Sequence, residues 1–317
     1  MRVNIAQPPI LILAFNRADT LAELYRALTP IAPSRIYVAC DGPRDRAPGE
    51  ATRVNEVRRL LANPPWKCSV ETRFLETNQG CGPAVSGALD WFFAQEECGV
   101  VLEDDCIPSA SFLPFCAEML ARYRDEPRVM SVLGTRHAVA RPTQVSSYSF
   151  SRLFAPWGWA SWRRAWERYR FHLGDWRADC TPYGVPSKAL TAAGNRGWSS
   201  KLDGVAPKSG PPHAWAYQFN FAHFRHEGLA VLPRVNLVSN IGFGDDSTHT
   251  SRVSAWANLP RGELAFPLQH PTEVEPDVVA DRHRETWHLN HRWWLARKIW
   301  QMRNRHGLAT RNAQRGW

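Results

Sequence analysis

The chain has 317 residues, 44% of them hydrophobic, and a formal charge of +9. That length supports one large domain, or a domain with an appendage, with a sizeable buried core. Its seven cysteines are an odd number with no CxxC pair, which argues against a disulfide framework or a zinc site and for reduced, cytosolic thiols. The basic balance suits a phosphorylated substrate, nucleic acid or an anionic membrane surface, and does not choose among them. No run of about 18 apolar residues and no leader pattern occurs, so the sequence encodes no expected membrane span or export signal.

In chain order, the first 135 residues alternate apolar runs with helical patterns, the signature of a βαβα sheet. Pro9 to Phe15 is the first predicted strand and ends in Asn16 and Arg17. Asp19 stands at a helix start before Leu21, Leu24 and Leu28. Arg35 to Cys40 is a second strand and runs into Asp41, Gly42 and Pro43, where Gly42 can bring backbone close to a ligand. Ala51 to Ala62 reads as a polar surface helix, and Cys68 to Leu75 as a third strand. The following Asn78, Gln79, Gly80, Cys81 and Gly82 can turn backbone N–H groups toward a phosphate or sugar before a helix lined by Val85, Ala88, Leu89, Phe92 and Phe93.

Gly99 to Pro108, GVVLEDDCIP, is the stretch around which the chain is organised. Its apolar run is a buried parallel strand, and Glu103, Asp104 and Asp105 fall at its carboxyl end, where ligands collect in open α/β sheets. Adjacent carboxylates repel one another, and a hard cation such as Mg²⁺ or Mn²⁺ relieves that conflict and can bridge to phosphates. A solvated acidic turn is the plainer alternative. Phe112 to Leu120 is a further helix and Arg128 to Gly134 a further strand.

Ser149 to Trp166 places four tryptophans around Gly158, either a core corner or an aromatic wall for a sugar ring. Residues 174 to 213 read as a long polar loop, and Trp215 to His226 as a helix. Leu229 to Pro233 and Val235 to Val238 lead into a second Gly- and Asp-rich turn that ends in His249. A neutral imidazole there can complete a divalent site or hydrogen-bond a diphosphate.

Taken together, FNR (Phe15 to Arg17), DGPR (Asp41 to Arg44), NQGCG (Asn78 to Gly82), WFF (Trp91 to Phe93), LEDDC (Leu102 to Cys106), PWGWASW (Pro156 to Trp162), NLVSNIGFGDDSTH (Asn236 to His249) and FPLQHP (Phe266 to Pro271) resemble a bacterial GT-A-fold glycosyltransferase family. That family is itself similar to the N-acetylglucosaminyltransferase I enzymes. The resemblance spans residues 8 to 271. It implies a GT-A, Rossmann-like α/β fold with a mixed, mostly parallel central sheet flanked by helices and a C-terminal helical extension. The implied division is a nucleotide-sugar half over 1–135, an acceptor half over 136–271 and a basic, Trp-rich extension over 272–317.

The resemblance further implies a nucleoside diphosphate sugar, most often a UDP-sugar, as donor, and Mn²⁺ or Mg²⁺ as cofactor. Asn16, Arg17, Asp41, Gly42 and Gly80 would line the nucleotide site, Glu103 and Asp104 the ribose and sugar, and Trp157, Gly158 and Trp159 the sugar or acceptor. Asp105 would bind the metal directly, and His249 would reach the metal or diphosphate. One departure matters. Where relatives carry an aspartate as general base, next to or two residues before the tryptophan matching Trp215, this chain has Ala216 and His213. His213 is the expected base, with Asp203 or Asp246 as substitutes; a retaining mechanism or a non-catalytic nucleotide-sugar or glycan binder are the other readings. A sugar nucleotidyltransferase is disfavoured because Ala14 to Asp19 lacks the glycine-rich basic start that class uses.

From Arg282 to Trp317 nine Lys or Arg stand against one acid, with Trp287, Trp293, Trp294 and Trp300 interspersed. This stretch is expected either to lie on an anionic membrane surface, near a lipid-linked glycan acceptor, or to dock on the catalytic domain. The expected location is the cytoplasm, or the inner face of the membrane. The arginines are dispersed and no nucleic-acid-binding module is present, so no nucleic-acid partner is expected.

Overall fold

Residues 7–137, 145–180, 186–206, 210–243 and 258–289 are described by the structure, a computed structural model. The apolar run ILILA forms β1 (Ile10–Ala14), and α1 (Ala18–Leu28) follows it. The next units are β2 (Arg35–Cys40), α2 (Glu50–Ala62), β3 (Ser69–Phe74), α3 (Cys81–Gln95) and β4 (Cys98–Glu103). The short β5 (Cys106–Pro108) precedes α4 (Phe112–Arg122) and β6 (Val129–Leu133). Beyond them lie β7 (Tyr148–Ser151), β8 (Trp159–Trp162), α5 (Arg163–Trp166), α6 (Ala192–Val205), α7 (Ala216–Arg225), β9 (Leu229–Pro233), β10 (Val238–Asn240) and α8 (Val278–Leu289).

The main sheet has eight strands in the order β3-β2-β1-β4-β8-β6-β9-β7. All its pairs are parallel except those made by β8 and β7, which run against their neighbours. This is an α/β architecture with a mostly parallel sheet flanked by helices. Alternation along the strands sends their side chains into two cores. Ile10, Ile12, Val38 and Leu102 meet α1, α2 and α4 on one face. Leu11, Leu13, Tyr37 and Val101 meet α3, α5 and α7 on the other. Because β1, β2 and β4 are parallel neighbours, Phe15 to Arg17, Asp41 to Gly42 and Glu103 to Asp105 emerge at one edge of the sheet. A second sheet, β10 antiparallel to β5, closes over that edge by pairing Asn240 with Cys106.

The polar stretch expected as loop contains α6 instead. Thr191 caps it by accepting a hydrogen bond from the Gly194 N–H at 2.9 Å, and Trp198, Leu202 and Val205 are buried beneath it. Helix α8 is tied to the domain by charged groups. Asp281 accepts hydrogen bonds from Ser151 Oγ at 2.5 Å and Arg152 N at 3.1 Å, and the fully buried Arg284 donates to Leu153 O at 2.6 Å. Glu285 accepts from Thr191 Oγ1 at 2.7 Å, which links α8 to the start of α6. The expected basic helix over 291–305 lies outside the described residues, among which no helix is long and apolar enough to cross a membrane.

One buried group on α7 has a measurable consequence. His223 is 1% exposed; its Nδ1 is 3.1 Å from Phe219 O and its Nε2 is 3.0 Å from Ser131 Oγ, a pattern that suits the neutral ring with its proton on Nδ1. Burial lowers its pKa from 6.5 to about 4. The native state then refuses a proton that the unfolded chain takes, so stability is whole above pH 6.5 and falls as pH drops toward 4. By pH 5 the loss should be about 2 kcal/mol. Denaturant midpoints at pH 7 and pH 5 for the protein and for His223→Asn test this, because the variant should lose most of that pH difference.

Candidate functional site

The carboxyl edge of β1, β2 and β4 carries a buried acidic cluster with a cation set into it. Asp104 is 3% exposed and Asp105 6% exposed. Arg17 Nη2 lies 2.6 Å from Asp104 Oδ1 and 2.8 Å from Asp105 Oδ2. Burial opposes the guanidinium charge, but Asp104 and Asp105 outweigh it and hold the Arg17 pKa above its usual value. For the acids, burial and the neighbouring carboxylates act together. Both Glu103 and Asp104 are pushed well above the ordinary carboxylate range, Asp104 in spite of Arg17.

The second sheet completes this cluster from the far end of the chain. Asn240 Nδ2 donates to Asp105 Oδ1 at 3.0 Å, and Asn240 Oδ1 accepts from Gly242 N at 2.9 Å. Ile241 N donates to Asp105 O at 2.9 Å. The turn at Gly242 sits so close that a Cβ there would collide with Asp105 Oδ2 and Arg17 Nη1.

Beside the acids, Asp41 acts on backbone. Its carboxylate accepts from Gly42 N at 2.8 Å, Gln79 N at 2.9 Å, Gly80 N at 3.0 Å and Asn78 Nδ2 at 3.0 Å. Those four donors occupy the lone pairs of both oxygens, so Asp41 fixes the NQG turn ahead of α3. Burial raises its pKa, against the pull of those amides. Gly80 adopts φ 81°, a left-handed conformation that a side chain would strain.

Glu50, which opens α2 one residue before the expected surface helix, is completely buried. It accepts from Asn16 Nδ2 at 3.0 Å and Arg44 N at 2.8 Å and pairs with the Arg44 guanidinium. The bond to Arg44 is the main reason its pKa falls to about 2. Through that nitrogen Glu50 orients the Asn16 side-chain amide at the end of β1.

The aromatic stretch divides. Trp159 is 1% exposed and stacks on Trp215 at 5.7 Å, so it belongs to the core. Trp157 is half-buried at the site, edge-on to His137 at 5.2 Å and to Phe243 at 5.6 Å, next to Gly242. Gly158 joins it to the end of β6 through Gly134 N donating to its carbonyl at 2.7 Å. His213 is exposed, and its segment packs on the first turn of α3, where a Cβ at Gly82 would collide with Pro212 O. Asp203 is engaged elsewhere, bonded to Arg177 Nη1 at 2.6 Å and Trp176 Nε1 at 3.1 Å. Ala216 opens α7 and packs against the core. Asp246 and His249 lie outside the described residues.

Asn16, Arg17, Asp41, Gly42, Gly80, Glu103, Asp104, Asp105, Trp157 and Gly158 are thus gathered along one edge by the strand ends and the turns that follow them. The donor chemistry there, hard carboxylate oxygens in excess of cationic charge, fits Mg²⁺ or Mn²⁺. Among the described residues no group of three His, Cys, Asp or Glu is arranged to hold such an ion, and Arg17 stands where two of the carboxylates converge.

No family model and no curated protein matches the chain. Among solved structures, the mannosyltransferase PcManGT from Pyrobaculum calidifontis, in complex with GDP-Man and Mn²⁺, gives a TM-score of 0.36 at 14% identity over 69% of this chain and 70% of that one. HddC from Yersinia pseudotuberculosis gives 0.32 at 12% identity, over 51% of this chain and 80% of that one. A UDP-glucose pyrophosphorylase complexed with UDP-glucose gives 0.30 at 10% identity, over 51% and 78%. At such scores the activities of those proteins remain theirs, and the chemistry of this chain rests on its own residues.

Proposed function

We propose that the protein is a metal-dependent glycosyltransferase that moves a sugar, with inversion, from a nucleoside diphosphate donor of the UDP-sugar type to a hydroxyl on a glycan or lipid-linked glycan. The supporting observation is the acidic cluster at the end of β4, flanked by the NQG turn and the Asn16 to Arg17 corner and closed by β10. Asp105 would hold the metal, with His249 as its further ligand; when bound, the ion offsets charge that builds on the departing diphosphate. Asn16 offers a carbonyl oxygen to the nucleotide, and Asp41 presents the turn of Gly42 and Gly80 by clamping its amides. Glu103 and Asp104 face the ribose and sugar, and the Trp157 indole packs on a pyranose face.

His213 is the general base of this proposal, with Asp246 as the substitute. An exposed imidazole beside α3 can take a proton from an acceptor hydroxyl and give it to solvent. Ala216 favours a second reading, a nucleotide-sugar binder without transfer, since alanine cannot accept that proton.

Melting curves and donor hydrolysis across UDP-, GDP- and dTDP-sugars, with and without Mn²⁺, test the proposal. One donor class should raise the melting temperature only with metal and release nucleoside diphosphate slowly. Stabilisation without release would favour the binder, and no response to any donor would sink both readings. His213→Gln should lower acceptor-dependent turnover by about a hundredfold with donor stabilisation unchanged; undiminished turnover removes His213 from the mechanism.

A further inference from the structure

Arg17 is placed to do more than line a nucleotide site. Its Nη2 atom is shared by Asp104 and Asp105 at 2.6 and 2.8 Å, and both carboxylates are buried. The arginine side chain itself is 22% exposed, whereas the two carboxylates it pairs with are nearly closed to solvent. Its backbone is fixed at the start of α1, where its carbonyl accepts from Thr20 Oγ1 at 3.1 Å and Leu21 N at 3.4 Å. Displacement of the guanidinium therefore means rotation about side-chain bonds, with no movement of the loop. The turn at Gly242 leaves no room for a side chain beside Asp105 Oδ2 and Arg17 Nη1.

We propose that Arg17 is the resident counter-cation of the acidic strand end, and that it yields Asp105 to a divalent cation only when a nucleoside diphosphate is present to receive its guanidinium. The proposal rests on the metal-dependent reading above. Its physical basis is a competition for the same oxygens. A guanidinium and a divalent ion cannot both sit on Asp105 Oδ2, and two cations side by side repel each other at short range. Without an anion to receive it, the displaced arginine would lose two charge-assisted hydrogen bonds and gain only water. A diphosphate offers oxygens to the planar fork in the same geometry as a carboxylate. Metal and diphosphate then bind with positive coupling, and by linkage each strengthens the other to the same degree.

The test is Mn²⁺ binding, read from the loss of the free-ion EPR signal, with and without UDP and corrected for the Mn²⁺ that UDP holds alone. It is run on the full chain and on Arg17→Met, Arg17→Lys and Asp105→Asn. The wild-type protein should bind Mn²⁺ at least about tenfold more tightly with UDP than without it. Arg17→Met should bind Mn²⁺ alone about tenfold or more tightly than wild type, with most of the coupling to UDP gone. Arg17→Lys should fall between them, because the shorter side chain keeps the positive charge but meets a diphosphate as a point charge and not through a planar fork; it also guards against poor folding of the methionine variant. If Arg17→Met binds Mn²⁺ no better than wild type while Asp105→Asn loses binding, the counter-cation role is overturned and the metal site stands. If no form binds Mn²⁺ under either condition, the metal-dependent reading falls, and the counter-cation role falls with it.

Discussion

Asp105→Asn is expected to lower sugar transfer by at least about a hundredfold while leaving the fold intact. Asparagine has the shape of the aspartate it replaces and keeps a carbonyl oxygen for the Asn240 amide, which donates to Asp105 Oδ1 at 3.0 Å. The β5–β10 ribbon should therefore stay in place. What disappears is the negative charge and the acceptor on the atom that faces Arg17 at 2.8 Å, where the amide nitrogen now meets the guanidinium donor to donor. Arg17 retains its 2.6 Å bond to Asp104, so no buried cation is stranded. Removing one of several crowded carboxylates relieves repulsion, whereas the new amide nitrogen opposes the Arg17 donor, so the melting temperature should shift by only a few degrees. Nucleoside diphosphate release at saturating Mn²⁺ is the readout for chemistry, and near-UV circular dichroism is the control for structure. A variant that works within a few-fold of wild type would place the reaction centre elsewhere on the molecule.

The strands that build this edge could be read from the chain because each is a continuous apolar run. The span Arg35 to Cys40 is both the predicted and the observed second strand. Runs of that kind are buried on both faces whatever their neighbours do. Three features escaped for a shared reason, which is that distant parts of the chain decide them. Helix α6 contains Gly194, Gly197 and Gly204, each a poor helix former, and persists because Trp198 and Leu202 are buried and Glu285 engages Thr191 at its start. The strand β5 has three residues, too few to show a period, and exists through its pairing with β10. Trp157 and Trp159 are alike in composition, and only the packing of Trp215 assigns Trp159 to the core.

The candidate site followed the same division. The acids at the end of β4 and the glycine turns were legible because an apolar run that breaks abruptly into charge marks the end of a buried strand. The partners that fix their orientation were not. Arg17 belongs to the Asn-Arg corner by sequence, yet its bonds to Asp104 and Asp105 span separations of 87 and 88 residues. Asn240 reaches Asp105 across 135 residues. No periodicity within a window of the chain can register contacts of that range, whereas the NIG turn after an apolar segment was a usable signal for a second element near the site.

Glu50→Ala is expected to cost about 2–3 kcal/mol of stability at pH 7 and to weaken donor binding about tenfold, with turnover at saturating donor little changed. The carboxylate of Glu50 is completely buried and holds the Arg44 backbone N–H at 2.8 Å and the Asn16 amide at 3.0 Å. Alanine leaves both donors without that acceptor. The Arg44 guanidinium is half exposed and can return to water, which keeps the loss below that of a fully buried ion pair. Binding should suffer because the same side chain orients Asn16 and the turn that carries Arg44, whereas the acids of β4 are untouched. The pKa of Glu50, lowered to about 2 chiefly by Arg44, fixes the pH signature. A depressed carboxylate stabilises fully above its ordinary value of 4.5 and loses that contribution as pH falls toward 2. Urea midpoints of the protein and the variant should therefore differ by a constant amount from pH 5 to 8 and converge as pH is lowered from 4.5 to 3. A gap that stays constant through that acid range would mean that Glu50 contributes shape and packing to the site, with no part played by its charge.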